Sequence, residues 1–438
     1  MADDDHVPAG RLRRLSRLAY LTARTTGDLL AAQARRKLTG SSGPQDDLRK
    51  AGERILATLG ELKGAALKLG QALAMDPDAL PEEARSVVAR LLSQAPVRME
   101  FAQVAEVVRS ELGHEPDQLF ARFEREPLAA ASLGQVHAAR LAEGREVVVK
   151  VQYPGVEKAL ENDLANASAL VRGFALTGQA LDGRPYYDEL RSSLLRELDY
   201  EQEAAQGDAY RVAAQRYPEL VVPEVVKDRS ARRVLCLDRL HGKLLVDFME
   251  SKAPEDERFR VGRLMVFAIW GPFYAARLVH ADPHPGNFLV LPDGRLGVLD
   301  FGATKLLSER FASVYRAFLD ENAAGRAHPD VGPMLKKAGF RFLGDDEEDA
   351  FEFCQKIADI VQRPIQSETY DFSSEPLFSE VRRAFRSDPR LGLTIKPPVE
   401  ALLFYRSAAG LAQDLRLLKA RGPFREVLKE IQGRGSAW

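Results

Sequence analysis

Cysteine, net charge and long apolar runs are all scarce in this chain of 438 residues. Its two cysteines, Cys236 and Cys354, are too few for a disulfide framework and indicate a reducing compartment. The 62 basic and 64 acidic residues leave a net charge of -2, which argues against nucleic acid as a partner. The longest apolar run, 264–276, has thirteen residues, whereas a membrane-spanning helix needs about twenty. We therefore expect no transmembrane segment.

The first residues and the basic segment after them bear on the location of the protein. The opening MADDD lacks the basic and apolar parts of a secretory signal, and no Arg/Ser-rich transit segment follows, so we expect a bacterial cytoplasmic protein. Residues 10–38 have a helical apolar pattern with eight basic side chains and one acid, Asp28. Such a helix can bind an anionic membrane surface, at the inner membrane for example, or pack on its own protein. The sequence leaves both readings open.

One stretch carries polar residues at the spacing of a phosphoryl-transfer site. Residues 280–287 read HADPHPGN, and DFG follows at 300–302, after a strand-like segment. Kinases use this order, H-x-D-x4-N and then D-F-G, for an acceptor carboxylate, a metal-binding amide and a metal-binding carboxylate. The chain supplies these three groups as Asp282, Asn287 and Asp300. DFG alone occurs by chance, but the two motifs eighteen residues apart form a specific signal.

The order of strand and helix patterns agrees with this motif. Strands are predicted at 135–140, 146–150, 220–222 and 233–237, the first two forming a hairpin. Helices are predicted at 45–111, 156–216, 257–278 and over most of 305–438. We predict an α+β, two-lobed protein-kinase-like fold with a helical N-terminal extension and a mostly helical C-terminal lobe. Its segments are a basic helix and linker (1–44), a helical extension (45–126), a sheet-containing lobe with a helical insert (127–240) and the helical lobe (241–438).

A lysine and an acidic cluster predict the nucleotide site. Lys150 ends the apolar strand VVVK, 132 residues before the catalytic-loop aspartate, like the phosphate-binding lysine of kinases. This lysine needs an acidic partner, and the segment 197–203 (ELDYEQE) offers several. If the segment is helical, i,i+4 spacing pairs its acids on two faces, Glu197 with Glu201 and Asp199 with Glu203.

The loop before the hairpin differs from the glycine-rich phosphate loop of ordinary kinases. Glycine lets the backbone approach phosphates closely because it has no Cβ, whereas this chain has PLAAASLG at 127–134. Three alanines are expected to make the turn more rigid, which argues against transfer to protein substrates but not against nucleotide binding. The nucleotide-binding candidates here are Ala129, Ala130, Ala131 and Ser132.

Together these motifs resemble the UbiB (aarF-domain) family of atypical protein-kinase-like proteins, over about residues 7–425. The family's alanine-rich loop, phosphate-binding lysine, catalytic loop and metal aspartate all have counterparts among the residues above. The resemblance implies that Glu203 pairs with Lys150 and that Glu197 and Asp199 form the family's E-x-D element. It also implies that Asp238 lies beside the adenine, where relatives usually have glutamate.

The family's second signature, K-x-G-Q, resembles residues 68–71 (KLGQ). Without the family, Lys68 and Gln71 would be ordinary polar residues of a helix. In the family this extension folds over the active site and occupies the position of a peptide substrate. The resemblance therefore implies that Lys68, Gly70 and Gln71, with the E-x-D acids, restrict access to the site.

The resemblance implies a Mg²⁺-dependent ATPase or small-molecule kinase that binds ATP or ADP and supports isoprenoid quinone biosynthesis at a membrane surface. The expected partners are a lipid or quinone precursor, an anionic membrane surface and other quinone-biosynthesis proteins. No A-P-E follows DFG, and helix-like sequence resumes at about Ser308, which argues against a docked peptide. Some relatives have C-terminal transmembrane helices, but 402–418 is interrupted by polar residues, namely Arg406, Gln413, Asp414 and Arg416.

Two alternatives remain. One is a nucleotide-sensing adaptor that organises quinone-biosynthesis enzymes with little turnover, an idea that the alanine loop and the occluding extension keep open. The other is a transition-metal site at His280, Asp282 and His284. The downstream DFG argues against this second alternative, because a histidine cluster needs no such motif.

Overall fold

The computed structural model describes most of the chain from residue 98 onward. The described residues are 98–131, 133–158, 191, 195–326, 330–343, 347–374, 377–388, 391 and 394–435. The chain divides into two compact units, and nearly all described residues lie in the unit formed by 100–129, 135–152 and 196–438. The predicted basic helix, the K-x-G-Q extension and most of the helical insert (159–190) lie outside the described residues. The four segment boundaries remain predictions.

A small sheet forms around the predicted hairpin. The strands of the first half are β1 (Arg122–Phe123), β2 (Ala129–Ala131), β3 (Gly134–Arg140), β4 (Glu146–Gln152), β5 (Leu220–Val221) and β6 (Val234–Asp238). Four of them are neighbours in the order β1–β3–β4–β6. Along β4 the side chains of Val147, Val149 and Val151 are fully buried, as period-2 alternation requires of a strand with one face on the core. The predicted hairpin and the later strands are confirmed.

Helices dominate the chain after β6. The helices of the described chain are α1 (Phe101–Leu112), α2 (Pro116–Leu119), α3 (Tyr200–Ala214), α4 (Leu245–Met249), α5 (Glu255–Ala276), α6 (Glu309–Ala323), α7 (Val331–Lys337), α8 (Glu347–Val361), α9 (Arg363–Gln366), α10 (Leu377–Ser387), α11 (Val399–Leu417) and α12 (Phe424–Arg434). Short strands lie among them: β7 (Lys243–Leu244), β8 (Leu278–His280), β9 (Phe288–Val290), β10 (Leu296–Val298), β11 (Thr304–Leu306), β12 (Arg341–Phe342), β13 (Tyr370–Asp371), β14 (Ile395–Lys396) and β15 (Arg421–Gly422).

Short strand pairs position the two catalytic motifs. Strand β9 lies antiparallel to β10, so that the residues after 287 and before 299 are held side by side. Strand β8 pairs with β11, which places His280 opposite Thr304. The backbone N–H of Leu299 also donates to the carbonyl of Asn287 at 2.9 Å. The catalytic loop and the DFG segment are therefore joined on both sides.

Helix α5 is the centre of the apolar core. Three acids in its first turn suit the positive end of the helix dipole, and most of its later residues are buried. Its observed range agrees with the predicted helix at 257–278. The helix continues through Pro272, and the adjacent Gly271 lies so close to the Tyr217 ring that an added Cβ would be 2.6 Å from a ring carbon. Within the described residues, no helix has the length and apolar character that crossing a bilayer requires.

Helix α6 begins where the sequence predicted that helix resumes. Ser308 is its N-cap, and the Ser308 hydroxyl accepts a hydrogen bond from the backbone N–H of Phe311 at 3.3 Å. Only residues 303–307 separate the DFG segment from this cap, and three of them form β11. The chain therefore has no room here for a long activation segment.

We expect Gly271→Ala to lower the free energy of unfolding by about 1–3 kcal/mol, because the new methyl group would overlap the Tyr217 ring in a packed core. Urea denaturation measures the effect. The control is Gly433→Ala on α12, where an added Cβ meets nothing within 4 Å. That variant is expected to gain roughly 0.5–1 kcal/mol through helix propensity. Equal stabilities of the two variants would contradict the packing account.

Candidate active site

Lys150 and Glu203 form a buried ion pair between β4 and α3. The Lys150 ammonium lies 2.8 and 2.9 Å from the two carboxylate oxygens of Glu203. The lysine and glutamate side chains are only 15% and 5% exposed. Strand pairing fixes the lysine, since Lys150 lies opposite Leu235 of β6. The pairing of this lysine with this glutamate, which the family resemblance implied, is confirmed.

Asp300 brings a second carboxylate to the same ammonium. Its Oδ2 lies 3.4 Å from Lys150 Nζ. Burial alone would lower the pKa of Lys150, but the negative charges of Asp300 and Glu203 raise it well above its ordinary value. Burial raises the pKa of Glu203 to about 7, against the lowering effect of Lys150 and with the help of Asp300. Two carboxylates thus share one cation, and a further cation would be favourable here.

The start of α3 differs from the predicted helix. Asp199 is the N-cap: its carboxylate accepts hydrogen bonds from the backbone N–H groups of Glu201 at 3.1 Å and Gln202 at 3.2 Å. Because an N-cap ends the helix on its N-terminal side, Glu197 lies in a turn before α3. The pairing of Glu197 with Glu201 on one helix face was therefore wrong. Glu197 lies near the DFG glycine instead, since an added Cβ on Gly302 would be 3.8 Å from its Cγ.

His280 joins the catalytic loop to the DFG segment. Its Nε2 donates to the backbone carbonyl of Asp300 at 2.6 Å, and its Nδ1 accepts from the backbone N–H of Asp282 at 3.4 Å. The ring is almost fully buried. Both ring nitrogens are therefore engaged, which leaves no lone pair for a metal. The described residues also contain no group of three or more His, Cys, Asp or Glu that could hold a metal ion, so nothing here favours the transition-metal alternative.

Asn287 and Asp300 have the donor chemistry of a magnesium site. Asn287 Nδ2 donates to the carbonyl of Asp282 at 3.0 Å, which identifies the other amide atom as an oxygen that can bind a metal. Asp300 Oδ1 accepts from the backbone N–H of Gly302 at 3.0 Å, and its carboxylate is partly exposed. Mg²⁺ is usually held by one or two protein oxygens together with water and substrate phosphates. The two residues fit that requirement.

Phe301 fixes the DFG segment against α3. Its ring is buried, lies 5.2 Å from the Tyr210 ring, and covers Gly207, where an added Cβ would be 3.1 Å from a ring carbon. Glycine at 207 therefore lets the aromatic side chain approach the helix backbone. This packing holds Asp300 within reach of Lys150.

Two residues of the site were missed by sequence reasoning. Arg406 of α11 donates to Asp282 Oδ1 at 3.0 Å, and the Ser407 hydroxyl donates to the carbonyl of His280 at 2.8 Å. In the sequence, Arg406 is one of the polar residues that interrupt the segment 402–418 as a membrane span. The useful signal was that a polar residue in an otherwise apolar helix needs a partner when it is buried.

The remaining nucleotide candidates are less closely tied to this cluster. Asp238 ends β6, accepts from Arg145 Nε at 2.6 Å, and accepts from the backbone N–H of Glu224 at 3.3 Å. The alanines 129–131, which were predicted to form a rigid turn, form the strand β2 instead. Their contact with nucleotide stays a prediction. The other predicted residues, namely Ser132, Lys68, Gly70 and Gln71, lie outside the described residues.

The chain is similar to known proteins over most of its length. Residues 90–326 match the family described as the ABC1 atypical kinase-like domain. "Atypical kinase COQ8B, mitochondrial" of Danio rerio is 28% identical over 98% of this chain and 70% of its own length. "Probable protein kinase UbiB" of Cellvibrio japonicus is 32% identical over 56% of this chain and 45% of its own length. A solved structure of Rv3197 with erythromycin, from Mycobacterium tuberculosis, has a TM-score of 0.59 at 28% identity, covering 88% of this chain and 96% of that one. The predicted kinase-like α+β fold is confirmed.

We expect Lys150→Met and Glu203→Leu each to lower the free energy of unfolding by about 3 kcal/mol. Lys150→Met leaves the buried Glu203 carboxylate without its cation, and Glu203→Leu leaves the Lys150 ammonium with only the more distant Asp300. The double variant should lose less than the sum, by at least about 1 kcal/mol. Chemical denaturation of all four proteins measures this coupling. The exposed pair Lys429 and Glu426 on α12 is the control, with an expected coupling below roughly 0.5 kcal/mol. Additive losses at the buried pair would contradict the account.

Proposed function

This chain belongs to the UbiB family of ABC1 atypical kinase-like proteins, and on that premise we propose that it is a Mg²⁺-dependent enzyme that binds ATP and hydrolyses it or transfers its γ-phosphoryl group. The proposed acceptor, where phosphoryl transfer occurs, is a lipid or quinone precursor. The activity would support isoprenoid quinone (ubiquinone) biosynthesis at a membrane surface. The observation that carries this proposal is the contact of Lys150 with both Glu203 and Asp300, joined through His280 to an intact catalytic loop.

Each side chain of the cluster has a defined task in the proposed chemistry. Lys150, held by Glu203, binds the α- and β-phosphates through its ammonium. Asn287 and Asp300 hold the metal through oxygen atoms. When bound, Mg²⁺ supplies positive charge that offsets the charge developing on the phosphoryl oxygens. Asp282 orients the acceptor hydroxyl, or a water molecule in the hydrolysis reaction. Most of the rate enhancement then comes from positioning and charge neutralisation.

Arg406 would act through Asp282. Its guanidinium contacts Asp282 Oδ1, and the Asp282 side chain is only 13% exposed. A charge-assisted hydrogen bond to one oxygen fixes the rotation of a carboxylate, so that the acceptor meets it in one orientation. We therefore assign Arg406 as a positioning residue of the proposed reaction.

The substrate is proposed to be small or lipid-like because a peptide has little to bind. Five residues lie between the DFG glycine and Ser308, which begins the next helix as its N-cap. Peptide substrates of kinases need a longer segment at this position. The alanines of β2 in place of a glycine-rich loop point in the same direction.

The adaptor function is a second candidate, and the alanines of β2 favour it. Alanines in place of a glycine-rich loop restrict how backbone amides surround the γ-phosphate, which would keep turnover low while nucleotide still binds at Lys150. Binding of quinone-biosynthesis enzymes that depends on nucleotide and survives Asp282→Asn would support this candidate over the enzyme.

We expect purified protein to hydrolyse ATP with Mg²⁺, faster in the presence of anionic liposomes, and Asp300→Asn to lower turnover at least about 100-fold. The loss follows from removing one metal-binding oxygen. Phosphate release, measured with and without liposomes, checks both effects. The matched control is Asp293→Asn, since Asp293 is an exposed acid paired with Arg295 outside the site. Undiminished turnover by Asp300→Asn would defeat the assignment.

We expect Arg406→Gln to lower kcat by about 10–100-fold while the affinity for nucleotide changes less than about twofold, because only the orientation of Asp282 is lost. Steady-state kinetics and nucleotide titration separate the two effects. Arg416→Gln, ten residues along the same helix, is the control and should keep the wild-type kcat. A raised KM with unchanged kcat would show that Arg406 binds substrate instead.

A further inference from the structure

His284 is an exposed residue of the catalytic loop to which the proposed chemistry gives no task. It lies between the proposed acceptor carboxylate and the proposed metal-binding amide. Its Nδ1 accepts a hydrogen bond from the backbone N–H of Gly286 at 3.0 Å. This contact makes His284 the N-cap of a one-turn 3₁₀ helix, Pro285–Asn287.

The donor in this hydrogen bond fixes the state of the imidazole. A backbone N–H can only donate, so Nδ1 carries no hydrogen and the ring is neutral with its hydrogen on Nε2. N-caps are usually Ser, Thr, Asp or Asn, whose short side chains reach the same backbone N–H groups. Here the near nitrogen of the imidazole takes the place of the asparagine oxygen.

Gly286 allows the His284 imidazole to cap the turn. An added Cβ on Gly286 would lie 3.1 Å from His284 Nδ1 and 3.4 Å from its Cε1. Contacts as short as 3.1 Å force a neighbour to move by some tenths of an ångström. The absence of a side chain at Gly286 therefore allows the ring to come close enough for the hydrogen bond.

The capped turn ends at Asn287. The backbone N–H of Asn287 donates to the carbonyl of His284 at 2.8 Å, and Asn287 Nδ2 donates to the carbonyl of Asp282 at 3.0 Å. The backbone N–H of His284 in turn donates to the Asp282 carbonyl at 2.8 Å. These hydrogen bonds set the direction of the Asn287 amide oxygen. Within the described loop, the imidazole of His284 is the side chain that caps the turn.

We infer that His284 is a positioning residue for the metal-binding amide of Asn287, and that it sets the divalent-cation affinity of the site without touching the cation. This inference rests on the proposed function for the identity of the metal ligands. The imidazole holds the turn, the turn aims the amide oxygen, and a looser turn leaves that oxygen in several orientations.

Two amide variants of different length test this role. His284→Asn keeps an acceptor at the position of Nδ1, whereas His284→Gln moves its amide one methylene further away and loses the cap. We expect Mn²⁺ binding to the ADP-loaded protein, followed by electron paramagnetic resonance, to weaken about fivefold in His284→Gln, which is roughly 1 kcal/mol and typical of a lost N-cap. His284→Asn should stay within about twofold of wild type. ADP binding without metal should be the same in all of them.

Two further variants complete the experiment. Gly286→Ala keeps the imidazole but crowds it, so it should weaken Mn²⁺ binding in the same direction even if His284→Gln fails to fold. His114→Gln, an exposed histidine after α1, is the control and should bind Mn²⁺ as wild type does. Wild-type Mn²⁺ affinity in both His284→Gln and Gly286→Ala would overturn the inference. So would an equal loss in His284→Asn and His284→Gln, because the imidazole and not the cap would then be required.

The readout separates this inference from the proposed function. Mn²⁺ binding that depends on the cap, in a wild-type protein that does not hydrolyse ATP, would remove the enzymatic function and leave the role of His284 standing. Unchanged Mn²⁺ affinity in the variants of an active enzyme would do the reverse.

Discussion

One ammonium shared by the buried carboxylate of Glu203 and the partly exposed carboxylate of Asp300 is the constraint on which the rest of this site depends. A buried charge without a partner is costly, so Lys150 must contact Glu203 and Asp300. The three residues lie far apart in sequence, on a strand, on a helix and in the DFG segment. Much of the surrounding packing holds them together. The N-cap at Asp199 starts α3 at the right residue, and the Phe301 ring on Gly207 holds the DFG segment against the helix.

The catalytic loop depends on neutral contacts more than on charged ones. His280 resembles a metal ligand in the sequence, but its two nitrogens bind backbone groups on either side of it. The Nδ1 atom of His284 likewise accepts a hydrogen bond from the backbone N–H of Gly286. The His280 ring therefore connects two peptide groups, and the His284 ring binds one. A loop built in this way keeps the carboxylates and the amide available for the proposed substrate and metal.

The sequence predicted the residues that lie in motifs and missed those that depend on tertiary contacts. Lys150, Asn287 and Asp300 were predicted because their chemistry requires particular residue types at particular spacings. The hairpin was found because apolar residues alternate. Arg406 was missed because it lies 124 residues from its partner and no local pattern reports such a contact. The start of α3 was predicted too early for a local reason. The spacing of the acids is compatible with a helix that includes Glu197 and Asp199. The Asp199 side chain, however, accepts from the backbone N–H of Glu201, so Asp199 is the N-cap and the helix begins after it.

The position of α11 far behind both motifs in the sequence has a consequence for biosynthesis. Proteins emerge from the ribosome from their N-terminus onward, so Arg406 appears 124 residues after Asp282, and Ser407 appears 127 residues after His280. A nascent chain that has already exposed the complete catalytic loop still lacks the guanidinium and the hydroxyl that brace it. The order of synthesis therefore delays completion of this cluster until residue 407 has been made. A chain ending before residue 406 would carry every recognisable motif and yet lack the guanidinium that holds Asp282.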